Sequence, residues 1–150
     1  MRFARLGLSF DYPDSWTVDT DDDAEGQAAV TVSAPDGGFW SVITHAGGTD
    51  PESLAAAVLR EMREEYRDLD SEPTTDTIAG RTLAGYDFNF YCLDLTNTAQ
   101  VRTLALPTAT YVFFCQAEDR DWDRISHVFA AMTTSFLTAL ASRPLAGAGG

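Results

Sequence analysis

The sequence predicts an α+β domain: an antiparallel sheet of about six strands flanked by two main helices, arranged as an α/β/α sandwich. Three observations point there. Short segments with apolar residues at period two recur in both halves of the chain, the spacing that puts side chains on one face of a strand. Two longer segments, near 50–69 and 121–140, carry apolar residues at helical spacing instead. Most of the strand segments are joined by short turn-forming stretches, so neighbours should pair antiparallel.

Leu6, Leu8 and Phe10 alternate and predict the first strand. Asp11 to Trp16 (Asp-Tyr-Pro-Asp-Ser-Trp) reads as a turn, because proline presets the backbone and Asp and Ser can bond nearby amides. Asp19 to Gly26 reads as its continuation, a solvated acidic loop. Ala28 to Ala34 and Phe39 to His45 are predicted strands joined by a hairpin at Pro35–Gly38. The period then changes. Thr49 stands three residues before Glu52 as a capping box with Pro51 in the first turn, and Leu54, Val58, Met62, Tyr66 and Leu69 form one stripe of a helix ending near Leu69. Asp70 to Thr75 reads as its polar exit.

A meander follows: Thr77–Ala79, a turn at Gly80–Arg81, a long strand Leu83–Leu93, a polar tip Asp94–Thr98, Ala99–Leu106, a turn at Pro107–Thr108, and Ala109–Ala117. Tyr86, Phe88, Phe90 and Cys92 alternate with Tyr91 and Leu93, and Tyr111, Phe113 and Cys115 with Val112 and Phe114. Strands apolar on both faces must be covered on both. The second helix supplies a cover, with Trp122, Ile125, Phe129, Met132 and Phe136 recurring three and four residues apart. Residues 1–140 are thus expected to be one domain and 141–150, rich in Gly and Ala, a flexible tail.

Particular segments resemble the PsbP-like family: Gly7-Leu-Ser-Phe-Asp-Tyr-Pro-Asp-Ser-Trp16, then Gly80-Arg-Thr-Leu-Ala-Gly-Tyr86 opening a long strand, then Cys115-Gln-Ala-Glu118 running into a helix that ends Thr134-Ser-Phe-Leu137. The resemblance spans about residues 5–138. It implies an antiparallel sheet flanked by helices and used mainly for binding protein. The family includes a photosystem subunit, a regulator of nuclear transport that binds the Ran GTPase, bacterial lipoproteins, and cytoplasmic chaperones for apolar helices of secreted effectors. The matching positions set the fold, so no functional residue is carried over from them.

With ten Arg, no Lys and 23 acidic residues, the net charge is −13. Genomic GC bias and adaptation to salt both produce such a balance. A surface this acidic repels phosphate, whose neutralisation by cations supplies most nucleic-acid affinity, and offers no basic face to anionic lipid. DNA, RNA and membrane insertion are therefore disfavoured. The N-terminal segment lacks the apolar stretch of a secretory signal and the lipobox cysteine of the lipoproteins, so a bacterial cytoplasmic location is expected.

No nucleophile elbow, phosphate-binding glycine loop or His-Glu-x-x-His is present, and neither an enzyme nor a cofactor is expected. Asp19, Asp21, Asp23 and Glu25 resemble the start of a calcium loop, but Ala24 and Val30 occupy the positions that need Gly and Glu, so no metal is expected. Cys92 and Cys115 lack zinc-ligand spacing. With tight hairpins, Cys92 would face Ala99 and Cys115 would face Val101, one strand apart, which predicts free buried thiols; Arg102 is the nearest cation that could activate either. His45 and His127 read as rim or surface residues. The aromatic surplus reads mostly as core. Its remainder suggests a sheet face incompletely covered by the helices, open to a peptide helix or to a second copy in a homodimer. Trp40, Tyr91 and Arg102 are the candidate anchors, because these residue types dominate binding hot spots. The expected function is a non-enzymatic protein-binding or adaptor domain. The alternatives are a cytoplasmic chaperone for apolar helices of a secreted effector, and a small-ligand carrier or enzyme using an aromatic cavity.

Overall fold

The computed structural model describes residues 1–22 and 27–142. Along the chain run β1 (Arg2–Arg5), β2 (Leu8–Asp11), β3 (Thr17–Asp22), β4 (Ala28–Ser33), β5 (Phe39–Ala46), α1 (Pro51–Glu65), β6 (Asp70–Ile78), β7 (Arg81–Cys92), β8 (Leu95–Ala105), β9 (Ala109–Glu118) and α2 (Asp119–Ala141). The main sheet has seven strands, one more than expected, in the order β3-β4-β5-β9-β8-β7-β6, and every pairing is antiparallel. β1 and β2 form a separate hairpin.

The two faces of the sheet build two cores. On one, Val32, Trp40, Val42, Leu83, Tyr111 and Phe113 meet Ile125, Phe129, Met132 and Phe136 of α2, and the β1–β2 hairpin adds Phe3, Leu8 and Phe10. On the other, Phe88, Phe90, Ala99, Val101 and Val112 meet Met62 of α1, with Leu54, Val58, Tyr66 and Leu69 around them. This is the α/β/α arrangement that strands apolar on both faces require.

Several boundaries differ from the sequence reading. Leu6 is not in a strand: Leu6 and Gly7 (φ 58° and 74°) turn the first hairpin, so the chain pairs on itself before Leu8. The same geometry recurs at Ala79–Gly80 and at Leu93–Asp94, each a two-residue connection with both residues left-handed, matching the twist of a hairpin. The turn expected at Gly80–Arg81 therefore lies one residue earlier. The polar tip expected at Asp94–Thr98 shrinks to Leu93–Asp94, because β8 begins at Leu95.

The first helix starts and stops differently too. Asp50, not Thr49, caps α1: its carboxylate accepts from the Glu52 amide and the Ser53 hydroxyl, while Thr49 bonds the Ala46 carbonyl. The helix ends at Glu65 because Tyr66 turns extended and its ring packs 4.2 Å from that of Phe90. Asp70 to Thr75, read as a loop, is most of β6, and Asp19 to Asp22 belongs to β3. Both are edge strands with few apolar residues, so their pairing carries no hydrophobic alternation, and an edge also tolerates Pro73. Asp23 and Glu25 of the calcium-loop reading lie outside the described residues, as does the tail from 143 onward.

Candidate functional site

The α2 face holds a cleft of about 290 Å³ between the helix and the β8–β6 side of the sheet. Its floor is Trp40, Gln100, Arg102, Phe113 and Cys115; Asp76, Thr77 and Ile78 of β6 form one wall, and Trp122, Ser126, Phe129 and Thr133 of α2 form the other.

Arg102 organises the floor. Its side chain is only 7% exposed, and its Nε donates to Asp76 at 2.7 Å while Nη2 donates to Asp87 at 2.6 Å. Nη1 donates to the carbonyls of Tyr86 and Val101, both at 3.0 Å. Burial alone would disfavour the cation, but the two carboxylates outweigh it and hold the guanidinium protonated. One further feature permits this packing. Gly85 stands opposite Arg102 in the neighbouring strand, and a Cβ there would come within 1.9 Å of the Val101 carbonyl oxygen, the same oxygen that Arg102 engages.

Cys115 lies beside this cation but is not activated by it. Burial pushes its thiol up to about 12, and the Arg102 charge only partly opposes that. In register Cys115 faces Gln100 rather than Val101, and Cys92 faces Leu95 rather than Ala99. The two thiols are free and belong to opposite faces, Cys115 to the α2 core and Cys92 to the α1 core. The high Cys115 value fixes a pH dependence. The unfolded thiol ionises near its ordinary 9.0 and the folded one near 12, so above pH 9 the unfolded chain releases its proton first. Stability present below pH 9 is expected to fall as the pH rises toward 12, with a limit on the order of 4 kcal/mol at 1.36 kcal/mol per unit. Burial also raises Tyr66, which acts in the same direction. Urea unfolding from pH 8 to 11 should show the decline, and Cys115→Ala should flatten it; an unchanged slope would mean that the thiol does not carry it.

The α1 face is covered unevenly. The helix crosses β7, β8 and β9 and leaves the β5 side open. Between α1 and that side lies a shallow groove of about 420 Å³ floored by Ile43, Val58, Met62, Val112 and Phe114, with Glu61 and Glu65 on its rim. Phe114 stacks on Phe39 at 5.8 Å, both half-buried.

The three anchors named from the sequence are not brought together. Trp40 is 1% exposed and its Nε1 donates to Thr133 Oγ1 at 2.9 Å beneath α2, so it is an internal residue that edges the cleft, not a surface anchor. Arg102 lines the same cleft, committed to its two aspartates. Tyr91 is 62% exposed near the β7–β8 turn, away from both, beside Leu93 at 91%. None of the three lines the open groove. In the sequence Val58 and Met62 read as helix stripe and Ile43, Val112 and Phe114 as strand positions, with nothing to join them into a site; which half of a two-sided sheet a helix leaves bare is invisible in a linear pattern. His45 sits half-buried at the end of β5, where burial lowers its pKa, and His127 is exposed on α2. Among the described residues, no group of three or more His, Cys, Asp or Glu side chains is gathered to hold a metal, and no helix is long and apolar enough to cross a membrane.

A seven-stranded antiparallel sheet between two helices, with an N-terminal hairpin folded against the second, defines an α+β sandwich of a known kind. The chain has the PsbP-like fold. It is similar to cyanobacterial PsbP (CyanoP) from Synechocystis sp. PCC 6803, with a TM-score of 0.59 at 15% identity over 90% of this chain and 89% of that one. It is also similar to a crystal structure from Bacteroides thetaiotaomicron VPI-5482, with a TM-score of 0.55 at 14% identity over 87% of this chain, which spans just under half (46%) of that one. At such identities the likeness is one of fold. No protein-family model matches the chain, and no curated protein sequence matches it.

Proposed function

We propose that this domain is a non-enzymatic protein-binding module whose groove between α1 and the β5–β9 part of the sheet receives an apolar segment with basic flanks. The observation that carries this reading is the groove itself: an apolar floor of Ile43, Val58, Met62 and Phe114 under an acidic rim of Glu61 and Glu65. An apolar segment gains by leaving water there, at about 25 cal/mol per Å² buried, and basic flanks meet both the rim and the −13 net charge of the chain. A chaperone for apolar helices would use the same groove, with a helix as the occupant.

The test is fluorescence anisotropy with two labelled amphipathic peptides that share one apolar face, one flanked by Lys and the other by Glu. The Lys-flanked peptide is expected to bind about tenfold or more tightly than its acidic twin. Ile43→Asp or Phe114→Asp should weaken that binding by a similar factor, while Tyr91→Ala leaves it unchanged. Equal binding of the two peptides, or insensitivity to both groove variants, would overturn the reading.

A further inference from the structure

The cleft beneath α2 has a chemistry of its own, distinct from the groove on the other face. Two tryptophans of the chain's three, Trp40 and Trp122, line it together with Phe113 and Phe129. Trp122 is the more accessible of the two tryptophans, half-buried where Trp40 is sealed, and its ring lies 6.1 Å from that of Phe129.

Three donor groups of this cleft, those of Arg102, Trp40 and Thr133, are spent within the protein. Arg102 gives its hydrogens to Asp76, Asp87 and two carbonyls. The Trp40 N–H goes to Thr133, whose own hydroxyl donates to the Phe129 carbonyl. Asp76 is different. It gives one oxygen, Oδ2, to Arg102, its side chain is 42% exposed, and among the described residues Oδ1 takes no hydrogen bond. One guanidinium against two carboxylates leaves the cluster with a net charge of −1. The field of the whole chain has the same sign.

We infer that the cleft is a binding site for a small organic ammonium ion, held by the Asp76 carboxylate and the face of Trp122. An anion would meet a carboxylate and a guanidinium already neutralised; a neutral apolar molecule would leave Asp76 Oδ1 without a partner beside it. A cation satisfies the free carboxylate oxygen and draws on the ring quadrupole of tryptophan, the strongest of the aromatic faces for this contact. At about 290 Å³ the cleft stands near the lower end of the size range of small-molecule sites, roughly 300 Å³.

Three molecules of matched size separate the possibilities on the intact chain: 2-phenylethylammonium, neutral 2-phenylethanol and anionic phenylacetate. Titration is followed by tryptophan emission and by calorimetry. The ammonium ion should bind saturably and about tenfold or more tightly than the alcohol, with the carboxylate weakest. Asp76→Asn should abolish the preference for the cation while leaving the Arg102–Asp87 pair intact, and Trp122→Leu should remove most of the emission change and weaken binding without touching the ion pairs. The inference fails if the alcohol binds as well as the amine, or if the amine does not bind saturably to the unaltered chain. Neither result bears on the groove, which lies on the opposite face.

Discussion

Replacing Gly85 with alanine is expected to destabilise this protein by about 3 kcal/mol or more and to lower the yield of folded chain. The added Cβ would sit 1.9 Å from the Val101 carbonyl oxygen, 2.7 Å from its carbon and 3.2 Å from Arg102 Cα. These are backbone atoms of β8, so no rotamer change relieves the contact. The strand itself must move, within a sheet paired on both sides of β7 and of β8. Overpacking in a core costs about 1–3 kcal/mol even where side chains can yield, and here they cannot. Chemical denaturation measures the loss. A change under about 0.5 kcal/mol, the usual range for exposed positions, would show that β7 and β8 can separate at this point at little cost.

Arg102→Met is expected to cost about 3 kcal/mol, which for a chain of this size lowers Tm by roughly 6–12 °C. The loss has two sources. The guanidinium's bonds to the Tyr86 and Val101 carbonyls disappear, and Asp76 and Asp87 are left facing one another without their shared cation. The figure stands at the lower end for a broken buried pair, because the two carboxylates, 42% and 33% exposed, regain water. Adding Asp76→Asn and Asp87→Asn should recover part of it by removing the repulsion. Because Gly85 and Arg102 both act on the Val101 carbonyl, their effects should fall short of adding, and a double-mutant cycle measures the coupling. If Arg102→Met melts with the unaltered chain, the cluster is not a stabilising element.

Both residues owe their roles to strand pairing. Gly85 lies in a segment, Gly80 to Tyr86, that carries the family resemblance, yet nothing local says why a glycine stands inside a strand. The reason is the approach of β8, which exists only once the strands are paired. Arg102 was singled out as a contact residue, but Asp76 and Asp87 lie 26 and 15 positions away, and their meeting depends on register. The register rests on hairpins whose turns were misread. Leu93–Asp94 contains no glycine, so a left-handed two-residue turn had no composition to announce it. That misreading shifted the expected partner of Cys92; Cys115 pairs across the other hairpin, whose turn at Pro107–Thr108 lies where the sequence puts it.

Trp40 illustrates the same limit for binding residues. Tryptophan on a strand suits either a hot spot or a core, and alternation leaves the choice open. Packing against Phe10 of the N-terminal hairpin, at 4.9 Å between ring centroids, and the hydrogen bond to Thr133 of α2 decided for the core.

The two helices, the strands whose faces are apolar, the antiparallel connectivity, the acidic balance and the need to cover both faces of the sheet are all legible in the sequence. Each of these follows from periodicity, turn composition or charge, which act over a few residues or over the whole chain at once. The polar edge strands, the ion-pair cluster of Arg102, the cleft beneath α2 and the place of the open groove beside α1 come instead from the packed fold. An edge strand takes its conformation from its neighbour, an ion pair forms where register brings charges together, and a cleft is the space that packed elements fail to fill.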